Sequence, residues 1–258
     1  MLRVSKVTLS YGAEPVLEGA SLKVETGQFT SLVGPSGSGK SSLLRVIMGL
    51  QRPEAGLINL SAGLDQVGIL FQDDALLPWR TARENVALGL RARGASKPEA
   101  GREAVSWLWR MGLAGFEDRY PRELSGGQRK RVAIAQVLAL RPSLLLMDEP
   151  FAALDAIVRH RLTQDLLRWV EHEKLSVLLV THDLEEALVL SDAVYLLSQG
   201  PRASVRECYH VPIPRPRDLV QARVHPAFGP LLGRLWQDLS EEVGELHAAT
   251  IRPLRREA

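Results

Sequence analysis

The chain has 258 residues and nearly balanced charge, 32 Lys plus Arg against 30 Asp plus Glu. That length buries a sizeable core in one domain with embellishments, and the balance gives no sign of the strongly basic surface typical of nucleic-acid binding, though a local patch is compatible with it, so no nucleic-acid partner is expected. The single cysteine, Cys208, excludes an internal disulfide and a Cys-rich metal site and suits a reducing compartment, with cytosol the default.

Met1 to Gly12 has no apolar core of signal-peptide length, and the longest apolar runs, such as Leu144 to Met147, fall far short of a membrane span. Any membrane role is expected to come through a partner. Leu2, Val4, Val7 and Leu9 alternate loosely, as does Ala20 to Val24, with Gly12, Ala13 and Pro15 between them. The pattern predicts two strands joined by a turn. Tyr11, beside Gly12, reads as a strand-end aromatic as readily as anything else.

Phe29 to Val33 (FTSLV) is β-favouring and apolar, and Leu43, Leu44, Val46, Ile47 and Leu50 recur at helical spacing. Between them stands Gly34-Pro35-Ser36-Gly37-Ser38-Gly39-Lys40-Ser41, which fits G-x-x-x-x-G-K-[ST]. In that strand-to-helix setting the glycines let backbone N–H groups close around phosphate oxygens, with the helix N-terminus adding positive charge behind them. Lys40 is then expected to reach β- and γ-phosphates and Ser41 to ligate Mg²⁺.

Gly49 to Gly56 contains Pro53 and reads as loop, and Gly68 to Phe71 (GILF) as a short buried strand ending at Gln72. Beyond it, Asp73 to Trp79 is an apolar segment in loop context, suited either to tucking into the core or to docking another protein. Thr81 to about Gly112 turns helical, with Gly112 as a C-cap, so a purely helical insert buds from an α/β core. Ser125 and Gln128 make a capping box, and Gly126 and Gly127 leave that helix N-terminus bare, the geometry of a second phosphate-facing surface.

Leu144 to Met147 has the continuous apolar character of a strand buried on both faces and ends in Asp148-Glu149-Pro150. Carboxylates at that edge suit Mg²⁺ binding by Asp148 and polarisation of water by Glu149. Val177 to Val180 repeats the design and ends in Thr181-His182-Asp183; of six histidines only His182 sits at such a strand end, while His160 and His172 read as solvated or packing residues. Ala193 to Leu197 is the last expected strand. Pro212, Pro214 and Pro216 among arginines suggest an extended linker. Phe228, Leu231, Leu232, Leu235, Trp236 and Leu239 then form one apolar helical stripe, expected to pack on the main body.

With the P-loop, Gln72, LSGGQ, the strand into Asp148-Glu149-Pro150, Ala153-Leu154-Asp155 and His182 in this order, the chain resembles the ATP-binding subunit of ABC transporters from Leu2 to about Leu197. FQDDALLPWRTARENV, PFAALD, THDLEEAL and the IPRPRD tail look like the nitrate, sulfonate, taurine and thiamine-precursor importer branch. The resemblance implies an α/β P-loop NTPase fold: a RecA-like, mostly parallel sheet core, an N-terminal antiparallel β part and an inserted helical subdomain at about 75–136. It sets an ATPase domain at 1–205 and a C-terminal extension at 206–258.

The resemblance further implies a head-to-tail homodimer with two ATP molecules buried between the copies. Each ATP is held by one chain's P-loop (with Ser42) and by Ser125, Gly126, Gly127 and Gln128 of the other. Tyr11 stacks on adenine, Ser41, Gln72 and Asp148 serve Mg²⁺, Glu149 is the general base, His182 holds the γ-phosphate, and Asp155 links the two sites. Asp74, Leu76, Leu77, Pro78 and Trp79 meet a membrane permease, served by an extracytoplasmic binding protein, so the chain lies peripherally on the cytoplasmic face of the membrane. Gly56 to Gly68 is shorter than is usual for the family, Gln136 replaces a usual arginine, and Ala152 a common glycine; none of these touches phosphate or metal. A soluble ABC-type mechanical ATPase and a P-loop kinase are the competing functions, and the transported substrate is not encoded here.

Overall fold

The computed structural model describes residues 1–61 and 63–250. In chain order it has β1 (Leu2–Tyr11), β2 (Glu14–Val24), β3 (Phe29–Val33), α1 (Lys40–Ile47), β4 (Ala55–Leu60), a 3-10 turn at Leu64–Gln66, β5 (Val67–Leu70), α2 (Ala82–Ala92) and α3 (Lys97–Arg110). After a second 3-10 turn come α4 (Gly126–Leu138), β6 (Leu144–Asp148), α5 (Ala156–Glu173), β7 (Ser176–Val180), α6 (Leu184–Leu190), β8 (Ala193–Leu197), β9 (Val205–His210), α7 (Leu219–Val224) and α8 (Phe228–Thr250). The chain divides into two compact units, one built mainly from Leu60–Leu179, the other from Leu2–Lys23, Thr30–Asn59 and Val180 onward.

In the unit that carries the N-terminal strands, β2, β1 and β4 form a three-stranded sheet. Leu2, Val4, Val7 and Leu9 of β1 are buried, and the step of three between Val4 and Val7 spans Lys6, whose φ of 50° kinks the strand and returns the apolar set to one face. Gly56 is required opposite that kink, because a Cβ there would lie 2.4 Å from the Lys6 carbonyl oxygen. β4 starts at Ala55, inside the stretch expected to be loop, and the 3-10 turn at Leu64–Gln66 leads into β5. The residues of β4 are mostly exposed, so it is held by backbone pairing and leaves no alternating apolar signature.

The same unit pairs β3 with β8 in parallel and β8 with β9 antiparallel. β9 (VRECYH) went unforeseen because its side chains are largely polar, and it crosses the expected boundary at residue 206. Beyond it, the Pro-rich stretch is pinned and not a free linker. Arg217 is buried and donates to the Leu190 carbonyl at 2.7 Å and the Ile213 carbonyl at 2.8 Å, while Arg215 and Arg217 share Asp192 at 2.5 and 2.9 Å. In α8, Phe228 and Leu235 are buried as expected, but Trp236 is 56% exposed. Tyr209 of β9 hydrogen-bonds Asp238, and Arg206 pairs with Glu242 at 2.9 Å, so polar contacts also fasten this helix.

The other unit is built on β5 and β6, parallel with Leu70 opposite Met147, with β7 beside β6. Leu144 to Met147 are all buried, each Leu contributing about 1.5–3 kcal/mol over exposure. The helical insert is two helices: α2 opens with a Thr81–Glu84 capping box, α3 opens at Ser96, and Gly112, at φ 71°, lies just past the α3 C-cap Met111. Both pack on α4. Trp107 of α3 meets Trp169 of α5 with ring centroids 5.5 Å apart.

Candidate functional site

The Gly34 to Ser41 loop runs from the end of β3 into α1. Gly34 is held so close to β8 that a Cβ would lie 2.6 Å from the Leu197 carbonyl oxygen. Gly39, the N-cap of α1, has φ 93°, a conformation that needs glycine. No side chain caps that helix, and a helix N-terminus carries partial positive charge that favours an anion. Lys40 is buried and donates to the carbonyls of Gly34 and Pro35 at 2.8 and 2.7 Å, with Ser38 Oγ at 3.4 Å. Pro35 and Ser41 are half-buried, Ser36 and Gly37 exposed and Ser38 buried.

Tyr11 stands at the end of β1, 41% exposed, its hydroxyl 3.4 Å from Ser42 Oγ. The Ser42 bond, assisted by the Arg45 guanidinium, holds the phenol below its usual range against a smaller opposing effect of burial. Thr181 donates its N–H to the Leu32 carbonyl of β3 at 3.3 Å, so the exposed His182 follows beside the strand that leads into the loop. Thr181 Oγ1 donates to Glu186 at 2.7 Å, and Asp183 caps α6 through the Glu186 N–H.

Gln72, Asp148, Glu149, the Ser125–Gln128 box and Asp155 belong to the other unit. The β5–β6 register places the residues after Leu70 and Met147 at neighbouring strand ends. Glu149 has φ 43°, a sparsely populated region for a non-glycine residue and a form of strain that gathers at functional sites. Ser125 Oγ accepts the Gln128 N–H at 3.3 Å, and Gln128 Oε1 accepts the Ser125 N–H at 2.9 Å. Ser125 is exposed, and Gly126, Gly127 and Gln128 are half-buried.

Asp155 caps α5 by accepting the Val158 N–H at 3.0 Å. Gly127 packs on that helix, where a Cβ would lie 2.7 Å from Val158 Cγ1. The LSGGQ signature, Leu124 to Gln128, and the Asp155 turn are thus assembled against each other, and Arg159 adds a bond to the Leu154 carbonyl at 2.9 Å.

In the segment after β5, Leu76 and Leu77 are half-buried, Pro78 exposed and Trp79 70% exposed. Fully buried Asn85 fixes this loop by accepting the Leu77 N–H at 2.8 Å and donating to the carbonyls of Leu77, Arg80 and Thr81. Asp74 turns inward to Lys130 and Arg129, at 2.9 and 3.4 Å. Sequence reasoning missed Asn85, Lys130 and Arg159, for in the linear chain each looks like an ordinary polar helix residue.

The model for the ABC transporter family matches residues 17–152, more than half of the chain. The chain belongs to the ABC transporter family. Among curated relatives of this ABC protein, a taurine import ATP-binding protein of Yersinia pestis is 44% identical over 206 residues, covering 78% of this chain and 81% of that one. A bicarbonate transport ATP-binding protein and a nitrate import ATP-binding protein, both of Synechocystis, are 39% and 40% identical over 91% and 88% of this chain. The chain spans only about a third of the length of those two, 36% and 35%. A dimeric ATP-binding cassette solved in a post-hydrolysis state with ADP and Pi has a TM-score of 0.72 at 33% identity, covering 82% of this chain and 99% of that one.

Ser41 in one unit and Gln72 and Asp148 in the other each carry an oxygen donor, the ligand chemistry that would suit Mg²⁺.

Proposed function

We propose that this ABC protein is the ATP-hydrolysing subunit of an importer for a small organic or inorganic anion, working as a head-to-tail homodimer. The observation that carries the reading is the exposed Ser125 at the capped, glycine-flanked N-terminus of α4, in a chain that also holds a complete G-x-x-x-x-G-K-S loop. Two such surfaces in one chain suit two copies that each contribute one face to each ATP. Lys40 and the loop amides bind the β- and γ-phosphates, Tyr11 stacks on adenine, Glu149 takes a proton from the attacking water, and His182 holds the γ-phosphate. Ser125, Gly126, Gly127 and Gln128 contact the ATP held by the other copy, with Asp155 linking the sites. Ser41, Gln72 and Asp148 hold Mg²⁺, whose chemistry when bound is neutralisation of charge on the phosphate oxygens. A γ-phosphate shared by two protein faces makes ATP binding close the dimer and hydrolysis release it.

A membrane permease is the proposed partner. Among the described residues no helix is long and apolar enough to cross a membrane, and two features support docking beside α2. Trp79 is exposed, and a groove of about 760 Å³ between α2 and α3 is lined by Arg80, Arg83, Arg91, Lys97 and Arg102 together with the acidic Glu84. Arg83 is paired with Asp118, but Arg91, Lys97 and Arg102 form no ion pair among the described residues, and Arg80 Nε is buried without an acceptor. Such a groove suits a permease segment carrying carboxylates. In this reading the chain lies peripherally on the cytoplasmic face of the membrane, with an extracytoplasmic binding protein as the permease's supplier.

The names of the relatives favour taurine, nitrate or bicarbonate as the class of cargo, a sulfonate being of the same kind; a thiamine precursor is the alternative. The test is to tag the chain in its native cell, solubilise membranes gently and identify co-purifying proteins by mass spectrometry. One integral membrane permease is the expected result. Recovery of soluble partners alone, with Mg²⁺-dependent ATP hydrolysis intact, overturns the importer in favour of a cytosolic mechanical ATPase.

A further inference from the structure

Lys130 lies on α4, five residues after Ser125, and is only 3% exposed. An ammonium has three N–H donors, and here they meet three acceptors: the Phe71 carbonyl at 3.3 Å, the Gln72 carbonyl at 3.0 Å and Asp74 Oδ1 at 2.9 Å. All three acceptors belong to the segment leaving β5. Arg129 reinforces the contact, its Nε 3.4 Å from Asp74 Oδ2 while its Nη1 holds the Leu124 carbonyl at 2.7 Å, at the start of the signature. A buried cation is retained only where its charge and every donor are met, so this arrangement has one well-satisfied geometry.

We propose that Lys130 is a positioning residue that locks the Gln72 segment to the signature helix, so that the two move as one body. The consequence rests on the dimeric ATPase reading above. In that dimer Gln72 serves the ATP bound by its own chain, whereas Ser125 serves the ATP bound by the other. Lys130 therefore carries the state of one ATP site to the other within a single chain, and it does so without touching nucleotide. Gln72 enters through its backbone carbonyl, leaving its side-chain amide for the metal.

The experiment measures ATP hydrolysis by the full chain against ATP concentration for the parent, Lys130→Met and Asp74→Asn, beside fluorescent-ATP binding at low protein concentration and thermal unfolding. In the parent, two coupled sites give a Hill coefficient above one and approaching about two. Lys130→Met is expected to bring it to about one and to lower kcat about tenfold. Binding of ATP to the isolated chain should stay within about twofold, because the phosphate loop is untouched. Asp74→Asn, which keeps both carbonyl bonds, should shift both quantities the same way and by less, and it carries the test if Lys130→Met does not fold. A merely structural lysine would lower the melting temperature and the active fraction and leave the Hill coefficient alone. Folded variants that match the parent in Hill coefficient and kcat overturn the proposal, as does a parent that hydrolyses ATP with a Hill coefficient of one. A parent that hydrolyses no ATP overturns instead the reading beneath it.

Discussion

The Lys40 ammonium lies against the Gly34 carbonyl at 2.8 Å, so the phosphate loop closes around its own cation. A phosphate entering the loop offers that cation an anionic oxygen in place of neutral carbonyls, and a bond with both partners charged is roughly twice as strong. Lys40→Met should therefore cut hydrolysis by about 10²–10³, in line with loss of one charge-stabilising donor. Phosphate release at saturating Mg²⁺-ATP checks it, and parent-like turnover would remove Lys40 from its role. Gly39→Ala should do comparable harm without any loss of charge, since its Cβ would lie 2.7 Å from Val16 Cγ1 at φ 93°.

Glu149 follows the buried β6 strand in a left-handed backbone conformation. Glu149→Gln keeps shape and removes the proton acceptor, so hydrolysis should fall by about 10²–10⁴ while ATP binding persists. The stalled protein should appear on light scattering as a dimer that forms with ATP and dissociates when it is withdrawn. Hydrolysis at the parent rate would show that another group takes the proton.

The tail helix is fastened through Tyr209 and Asp238, and burial followed by the Asp238 bond pushes the Tyr209 phenol above its ordinary 10.0. A raised folded-state pKa gives stability that is whole below the unfolded value and is lost as pH rises from about 10 toward the folded one. Tyr209→Phe should cost about 1.5–3 kcal/mol near neutrality, the range for a hydrogen bond to a charged acceptor. It should also flatten the alkaline loss of stability. Urea unfolding of both proteins at about pH 8 and about pH 11 measures this; equal stability at the lower pH would mean that Asp238 does not hold the helix.

Much of this protein was legible along the chain because its chemistry is local. The Gly34 to Ser41 loop, the Ser125–Gln128 box and the apolar run into Asp148-Glu149 each place their reactive groups within a few residues of one strand or helix end, so spacing alone specifies them. β4 and β9 were not legible, since strands held by backbone pairing with exposed or polar side chains write no period into the sequence. The Pro-rich tail looked like a linker because nothing nearby in the chain shows that Arg215 and Arg217 find Asp192. Asp74 was expected at the permease contact for the same reason, since nothing nearby in the chain shows that it pairs with Lys130 and Arg129.

The sequence by itself determined the glycine-rich strand-to-helix loop, the capped helix at Ser125–Gln128 and the family, all of which depend on side-chain order over short stretches where covalent geometry sets the distances. Only the tertiary structure decided that Lys130 is buried against Phe71, Gln72 and Asp74, that Asn85 props the Leu77 loop, and that five basic residues from α2, α3 and the turn before them line one groove. Those contacts join residues far apart in the chain, and the charge of a buried lysine or a grooved arginine acquires its meaning from the dielectric and the partners that packing brings to it.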